Sequence, residues 1–271
     1  MIKTSIFISL IYFFIGYAYA EPCEMTMGYR LNQRPPLIAE FPDNSGLYVD
    51  LYRQALAKIN CKLHILREPK QRLMQKLKSG ELDFYPGATF TTERANFLYF
   101  IKNGLSDSYI ALSAPNTPAM DSMYALRERI LLVPHGGPRH NAEFYGAIIR
   151  KIEDLDIGQA IELLKKGKGD YFIYNGESIR YFLKLHPQDI TLRPCCGNPR
   201  PMYLGFSKQS KHIQLLNNPV YVLEQPISIT NYPERLDPNS NARKLELALQ
   251  SMIESGEVSA LYQQYYGVSP H

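Results

Sequence analysis

The chain has 271 residues, 45% of them hydrophobic, enough for a large core arranged as one long domain or two lobes. Its formal net charge is only +4, and its Lys and Arg residues are dispersed without a basic run, which argues against a nucleic-acid partner. No Ser-His-Asp phrase, phosphate loop or metal-ligand cluster supports hydrolase, nucleotide or metal chemistry, so no metal and no cofactor are expected.

The first segment, MIKTSIFISLIYFFIGYAYA, carries one early positive charge at Lys3. An apolar run from about Ile6 to Ile15 follows, and small residues stand at Ala18 and Ala20. This pattern predicts a signal peptide over residues 1–20, cleaved after Ala20, and places the mature chain in the periplasm. The apolar run is too short to span a bilayer, and no later segment is long and apolar enough to do so. Export permits disulfides. Cys23 precedes a predicted strand, EMTMGY, and Cys61 precedes another, KLHIL; if these are parallel neighbours their starts lie side by side, so a Cys23–Cys61 bond is expected. Cys195 and Cys196 are compatible with a vicinal disulfide, with two free thiols or with contacts elsewhere.

A proline-rich loop, RLNQRPPLIAEFPDNSG, follows the first strand. LYVDLYRQALAKI then places Val49, Tyr52, Leu56 and Ile59 at helical spacing. After KLHIL, Pro69 and Gly80 punctuate a second helix. LDFY is a short buried strand, and the threonine-rich GATFTTER leads into a further helix. This alternation argues for α/β architecture with parallel sheets. The phrase LKSGELDFY (77–85) is echoed by LKKGKGDYF (164–172), as in a chain of two similar α/β lobes. The second lobe is expected to hold strand RILLVP, the loop HGGPR, a helix from about Asn141 to Arg150, helix GQAIELLKKG, strand DYFIY, helix SIRYFLKL and strand DITLRP. SYIALSAP (108–115) and RPMYLGFSK (200–208) are the candidate crossings between lobes, and two amphipathic helices split at Gly256 close the chain. The Pro- and Asn-rich stretch over 216–240 reads as an insertion without an assignable role.

RPPLI, GLYVDLYRQAL, LKSGELDFYPGATFTTERANFLYF, YLGFSK and SGEVSALYQQYYG stand in the order seen in family 3 periplasmic solute-binding proteins of polar amino-acid ABC transporters, and the chain resembles that family over most of its mature length. The resemblance implies a type II periplasmic-binding-protein fold, with two lobes of parallel-rich sheet flanked by helices and joined by two crossing strands. Lobe 1 is expected over residues 21–110 and 206–271, and lobe 2 over 111–205. It also implies that Gly87 and Thr89 hydrogen-bond the ligand and that Arg94 clamps its carboxylate. The planar guanidinium fork suits that task independently of the resemblance.

The chain departs from the family where an aspartate commonly receives the ligand ammonium. The position here is Asn175, which supplies no charge; Glu177 either substitutes or sits in a solvated helix start. The loop at 134–141 keeps Gly136 and Gly137 and adds His135 and Arg139, each facing either the cleft or solvent. Tyr29 and Tyr85 lie near strand ends and are expected to line the pocket, while Arg72 is expected on a solvated face. The resulting expectation is a monomeric, non-enzymatic protein that captures a small carboxylate-bearing solute, an amino acid or related compound, for an ABC-transporter permease. Two alternatives stay open: an enzyme on the same scaffold, resembling cyclohexadienyl dehydratases, and a protein presenting its ligand to a membrane sensor.

Overall fold

The computed structural model describes residues 23–134, 140–153, 155–193, 195–196 and 199–267. The expected signal peptide lies outside the described residues, as do His135, Gly136, Gly137 and Arg139.

In chain order the first part comprises β1 (Cys23–Arg30), α1 (Leu47–Ala57), β2 (Cys61–Glu68), α2 (Lys70–Ser79), β3 (Phe84–Ala88), α3 (Thr92–Ala95) and β4 (Leu98–Asp107). Next come β5 (Tyr109–Ser113), β6 (Ile130–Pro134), β7 (Ile148–Ile152), α4 (Ile157–Lys165), β8 (Tyr171–Asn175), α5 (Gly176–Leu185) and β9 (Thr191–Arg193). The chain then returns through β10 (Arg200–Ser207), β11 (Leu215–Asn217), β12 (Glu234–Leu236), α6 (Asn241–Glu254) and α7 (Glu257–Tyr266).

Two five-stranded sheets result, ordered β2-β1-β3-β10-β4 and β7-β6-β8-β5-β9. They share one plan. In each, the first three strands are parallel and the next is antiparallel to both neighbours. The chain passes between them at Ser108 and again between Arg193 and Arg200. Both crossings are shorter than the sequence suggests: β5 pairs within the second sheet, and β10 pairs within the first from Arg200 onward, so residues 200–205 stand in the first sheet. Cys195 and Cys196 lie in the second crossing and are bonded to each other.

Strand alternation explains the cores. Met25, Met27 and Tyr29 point to one face of β1, fully buried beneath α1, α6 and α7. The opposite face of the sheet is covered by Leu73 and Leu77 of α2, with Ile227, Ile229 and Tyr232 from the expected insertion. In β1 and β2 Cys23 stands opposite Cys61, and the two are bonded with their Cα atoms 4.5 Å apart. The echoed phrase has a structural counterpart. Asp83 Oδ2 accepts from the Thr26 backbone N–H at 2.7 Å, and Asp170 Oδ2 accepts from that of Ile130 at 2.7 Å. Each aspartate thus ties the approach to its lobe's third parallel strand to the first.

The helix expected from about Asn141 to Arg150 does not form. A single 3₁₀ turn (Ala142–Tyr145) is followed by β7. Asn141 and Gly146 both take left-handed φ, 54° and 81°, which an α-helix interior does not allow.

Candidate solute-binding cleft

A cleft of about 1250 Å³ separates the two lobes. Its first-lobe wall is built from the end of β1, the proline-rich loop, the start of α2, and the β3–α3 connection. Its second-lobe wall comes from residues around Glu153 to Ile157 and from β8 and α5. Both walls therefore lie at the carboxyl ends of parallel strands, where open α/β sheets bind ligands.

Tyr85, Gly87, Thr89, Arg94 and Asn175, expected at a binding site, all line this cleft. Gly87 is required by close approach: a Cβ there would stand 2.1 Å from Tyr48 Oη, a hydroxyl whose residue is 2% exposed. Thr91 caps the single-turn α3, its Oγ1 accepting from the Arg94 N–H at 3.2 Å. The Arg94 side chain curls so that Nη1 donates to the Thr89 carbonyl at 3.0 Å. Among the described residues no ion pair joins Arg94 to a carboxylate. Beneath α3, the Tyr232 hydroxyl lies 2.8 Å from the Ala95 carbonyl and 2.7 Å from that of Leu98. The stretch over 216–240 therefore props the turn that carries Arg94, a role its sequence did not reveal.

Tyr29 does not line the cleft. It is fully buried, its hydroxyl donating to the Leu37 carbonyl at 3.2 Å and accepting from the Val49 N–H at 3.0 Å. Alternation along CEMTMGYR places it with Met25 and Met27, and that was the available signal for a core position.

Glu177 is not solvated either: it is 5% exposed, does not line the cleft, and accepts from Ser108 Oγ at 3.1 Å and from Asn175 Nδ2 at 3.2 Å. Asn175 caps α5, its Oδ1 accepting from the Ser178 N–H at 2.8 Å, while Nδ2 also donates to Asp107. Sequence reasoning missed Asp107, which lines the cleft and pairs with Arg34 at 3.4 Å. It also missed Arg30, Arg34 and Lys70, which line the same wall as Arg94. Burial among the cleft walls lowers the pKa of Lys70, and Arg94, Arg30 and Arg34 press it further the same way. Burial likewise raises the Tyr85 hydroxyl, against the pull of Arg30, Arg34 and Arg94. No group of three or more His, Cys, Asp or Glu residues suited to a metal ion occurs among the described residues.

A chain with two like lobes, an interlobe cleft and its polar groups at strand ends defines a solute-binding protein fold. The sequence profile of the bacterial extracellular solute-binding proteins, family 3, matches residues 25–268, and the chain belongs to that family. No curated protein sequence matches it. Solved structures share the fold at low identity. The GluR0 ligand-binding core, in complex with L-glutamate, is 16% identical with a TM-score of 0.67, over 92% of this chain and all of that one (100%). ArtJ, an arginine-, lysine- and histidine-binding protein from Geobacillus stearothermophilus, is 19% identical with a TM-score of 0.63, over 91% of this chain and 96% of its own. AncCDT-1, described as an ancestral amino acid-binding protein and precursor of cyclohexadienyl dehydratase, is 15% identical with a TM-score of 0.63, over 90% and 95%.

Proposed function

We propose that this protein captures a small carboxylate-bearing solute between its lobes, in the periplasm, and hands it to a membrane transporter. The observation that carries this reading is the position of Arg94, which lines the interlobe cleft beside Gly87 and Thr89 with no carboxylate partner among the described residues. A guanidinium in that setting offers a planar pair of donors to an incoming carboxylate, and cleft closure would strengthen the pair by excluding water. The solute contacts are assigned to Arg94, Thr89, Gly87, Tyr85 and Asn175 from the described walls, and to Gly137 and Arg139, which lie outside the described residues, from the sequence alone. Family membership supports binding and delivery, and several fold neighbours are themselves amino-acid binders. Among the described residues no helix is long and apolar enough to cross a membrane, so the transporter would be a separate partner.

The likeness to a dehydratase precursor brings in an enzymatic alternative. That chemistry needs a general acid within reach of the ligand. Of the two candidates the sequence offers, Glu177 is buried outside the cleft lining and already accepts from Ser108 and Asn175, which disfavours that role for it, and His135 lies outside the described residues.

The test is a thermal-shift and calorimetric screen of the exported protein against amino acids, other carboxylates and their amides. Carboxylates are expected to raise the unfolding temperature and the corresponding neutral amides are not. Equal shifts with neutral solutes, or turnover of a carboxylated cyclohexadiene, would overturn the proposal.

A further inference from the structure

Four cations stand on one wall of the cleft. Arg30 ends β1, Arg34 follows in the proline-rich loop, Lys70 begins α2 and Arg94 lies in α3. One of them is matched: Arg34 pairs with Asp107, and both side chains are only 19% exposed. Among the described residues no ion pair joins Arg30, Lys70 or Arg94 to a carboxylate. Beyond the burial that lowers the Lys70 pKa, the Arg94, Arg30 and Arg34 charges each lower it further, so all three lie close enough to repel that ammonium. The other acids lining the cleft, Glu40, Glu153 and Asp156, are exposed, and Asp156 is already engaged as the cap of α4.

A single carboxylate engages Arg94 and leaves Arg30 and Lys70 unmatched. Closing a lobe over unmatched cations removes water from them without replacing it, which opposes closure. A second acidic group on the solute supplies the missing counter-charge. We infer that the cleft selects a small solute bearing two acidic groups, one held by Arg94 and the other by Arg30 and Lys70. This rests on the solute-binding reading of the same cleft. The second group is an oxyanion, carboxylate or phosphate; Lys70 meets either as a point charge and Arg30 as a fork.

The experiment is calorimetry on the exported protein with matched pairs: succinate against succinamate, L-glutamate against L-glutamine, and O-phosphoserine against serine. Each diacid is expected to bind at least tenfold more tightly than its monoacid partner, and the better of glutamate and O-phosphoserine identifies the second oxyanion. K70M and R30M, with melting temperatures checked for an intact fold, should shrink the diacid-to-monoacid ratio toward one. Monoacids that bind as well as their diacid partners, as would follow if Glu153 and Asp156 matched the cations on closure, overturn this inference and leave the solute-binding reading standing. So does a ratio that neither variant changes. Absence of binding by every member of the panel overturns both.

Discussion

The side-chain amide of Asn175 donates to the carboxylate of Asp107, and the two residues end strands in different sheets. The next residue, Ser108, is the first crossing, and its Oγ donates to Glu177 at 3.1 Å. The negative charge that Asn175 lacks therefore sits beside it on Asp107, already held by Arg34 and the amide. Asp107→Asn removes the ion pair and leaves Arg34 without a counter-charge. Stability is expected to fall by about 2 kcal/mol, since hydrogen bonds to charged groups contribute ~1.5–3 kcal/mol. Diacid affinity should hold or rise, because Arg34 is freed. Urea denaturation and calorimetry on the variant check both; a tenfold loss of affinity would instead make Asp107 a direct ligand contact, as an ammonium would require.

Arg94→Ala should reduce affinity for any carboxylate ligand by about 2–5 kcal/mol, the cost of truncating one partner of a desolvated charged pair. Among the described residues its side chain donates to the Thr89 carbonyl and joins no ion pair, so the fold should survive the change. Unchanged affinity in a variant with native melting behaviour would move the carboxylate away from Arg94.

Some of this architecture is legible in the sequence because it depends on local pattern. The LKSGELDFY and LKKGKGDYF echo reports a real repeat, since Asp83 and Asp170 make the same bond to the first strand of their lobes. The Cys23–Cys61 pairing follows from two strand starts and needs only a parallel neighbour to be true. The cation cluster is different in kind. Residues 30, 34, 70 and 94 share no spacing; the parallel alignment of β1, β2 and β3 brings the strand ends that carry Arg30, Lys70 and Arg94 to one wall, and the proline-rich loop adds Arg34. Asp107 was invisible for a related reason: it closes an ordinary strand, and its meaning comes from Asn175 across the crossing. The helix expected from about Asn141 to Arg150 fails at Gly146, whose left-handed φ ends the 3₁₀ turn; that glycine was the available signal.

The Cys23–Cys61 disulfide closes a separation of 38 residues. In the chain-entropy model a loop of this size contributes about 4 kcal/mol by restricting the unfolded chain, with typical observed values of ~2–4 kcal/mol. The double variant C23S/C61S is expected to unfold at lower denaturant by that margin. Unreduced peptide mapping of exported protein should find the two peptides linked; two freely alkylated thiols would show that the bond does not form in the cell.

His140 predicts a pH response. Burial lowers its pKa below the ordinary 6.5, with Arg200 acting in the same direction, and its ring packs against Tyr109 at 4.5 Å between centroids. The folded state therefore holds the imidazole neutral, while the unfolded chain takes up a proton as pH falls through 6.5. The His140 contribution is present above that value and is lost as pH falls from it to the depressed folded pKa. His140→Asn suits the left-handed backbone there, φ 53°, and removes the titration. Between pH 7.5 and 5.5 the variant should lose less stability than the parent; parallel losses would assign the effect to other groups.

The cleft, at about 1250 Å³, is larger than the roughly 300–1,000 Å³ of pockets that enclose drug-sized ligands, so closure would tighten the contact of a small solute with both walls. Among the described residues the chain crosses between the lobes twice, and each lobe keeps its own sheet and cores. Near the crossings, α5 of the second lobe already meets α7 of the first, with the Tyr181 and Tyr266 rings 6.5 Å apart and edge-on, a contact placed to act as a pivot. Rotation about it would bring Asn175 and the α5 wall toward Arg94 with little repacking, and the ligand's preference for the closed state sets the limit of the shift. Solution scattering at saturating ligand should give a smaller radius of gyration than the free protein, and R94A should show no change at the same concentration. Superimposable curves for the free and saturated parent protein would mean that the lobes hold the solute in a fixed cleft, with its charges met from the first-lobe wall alone.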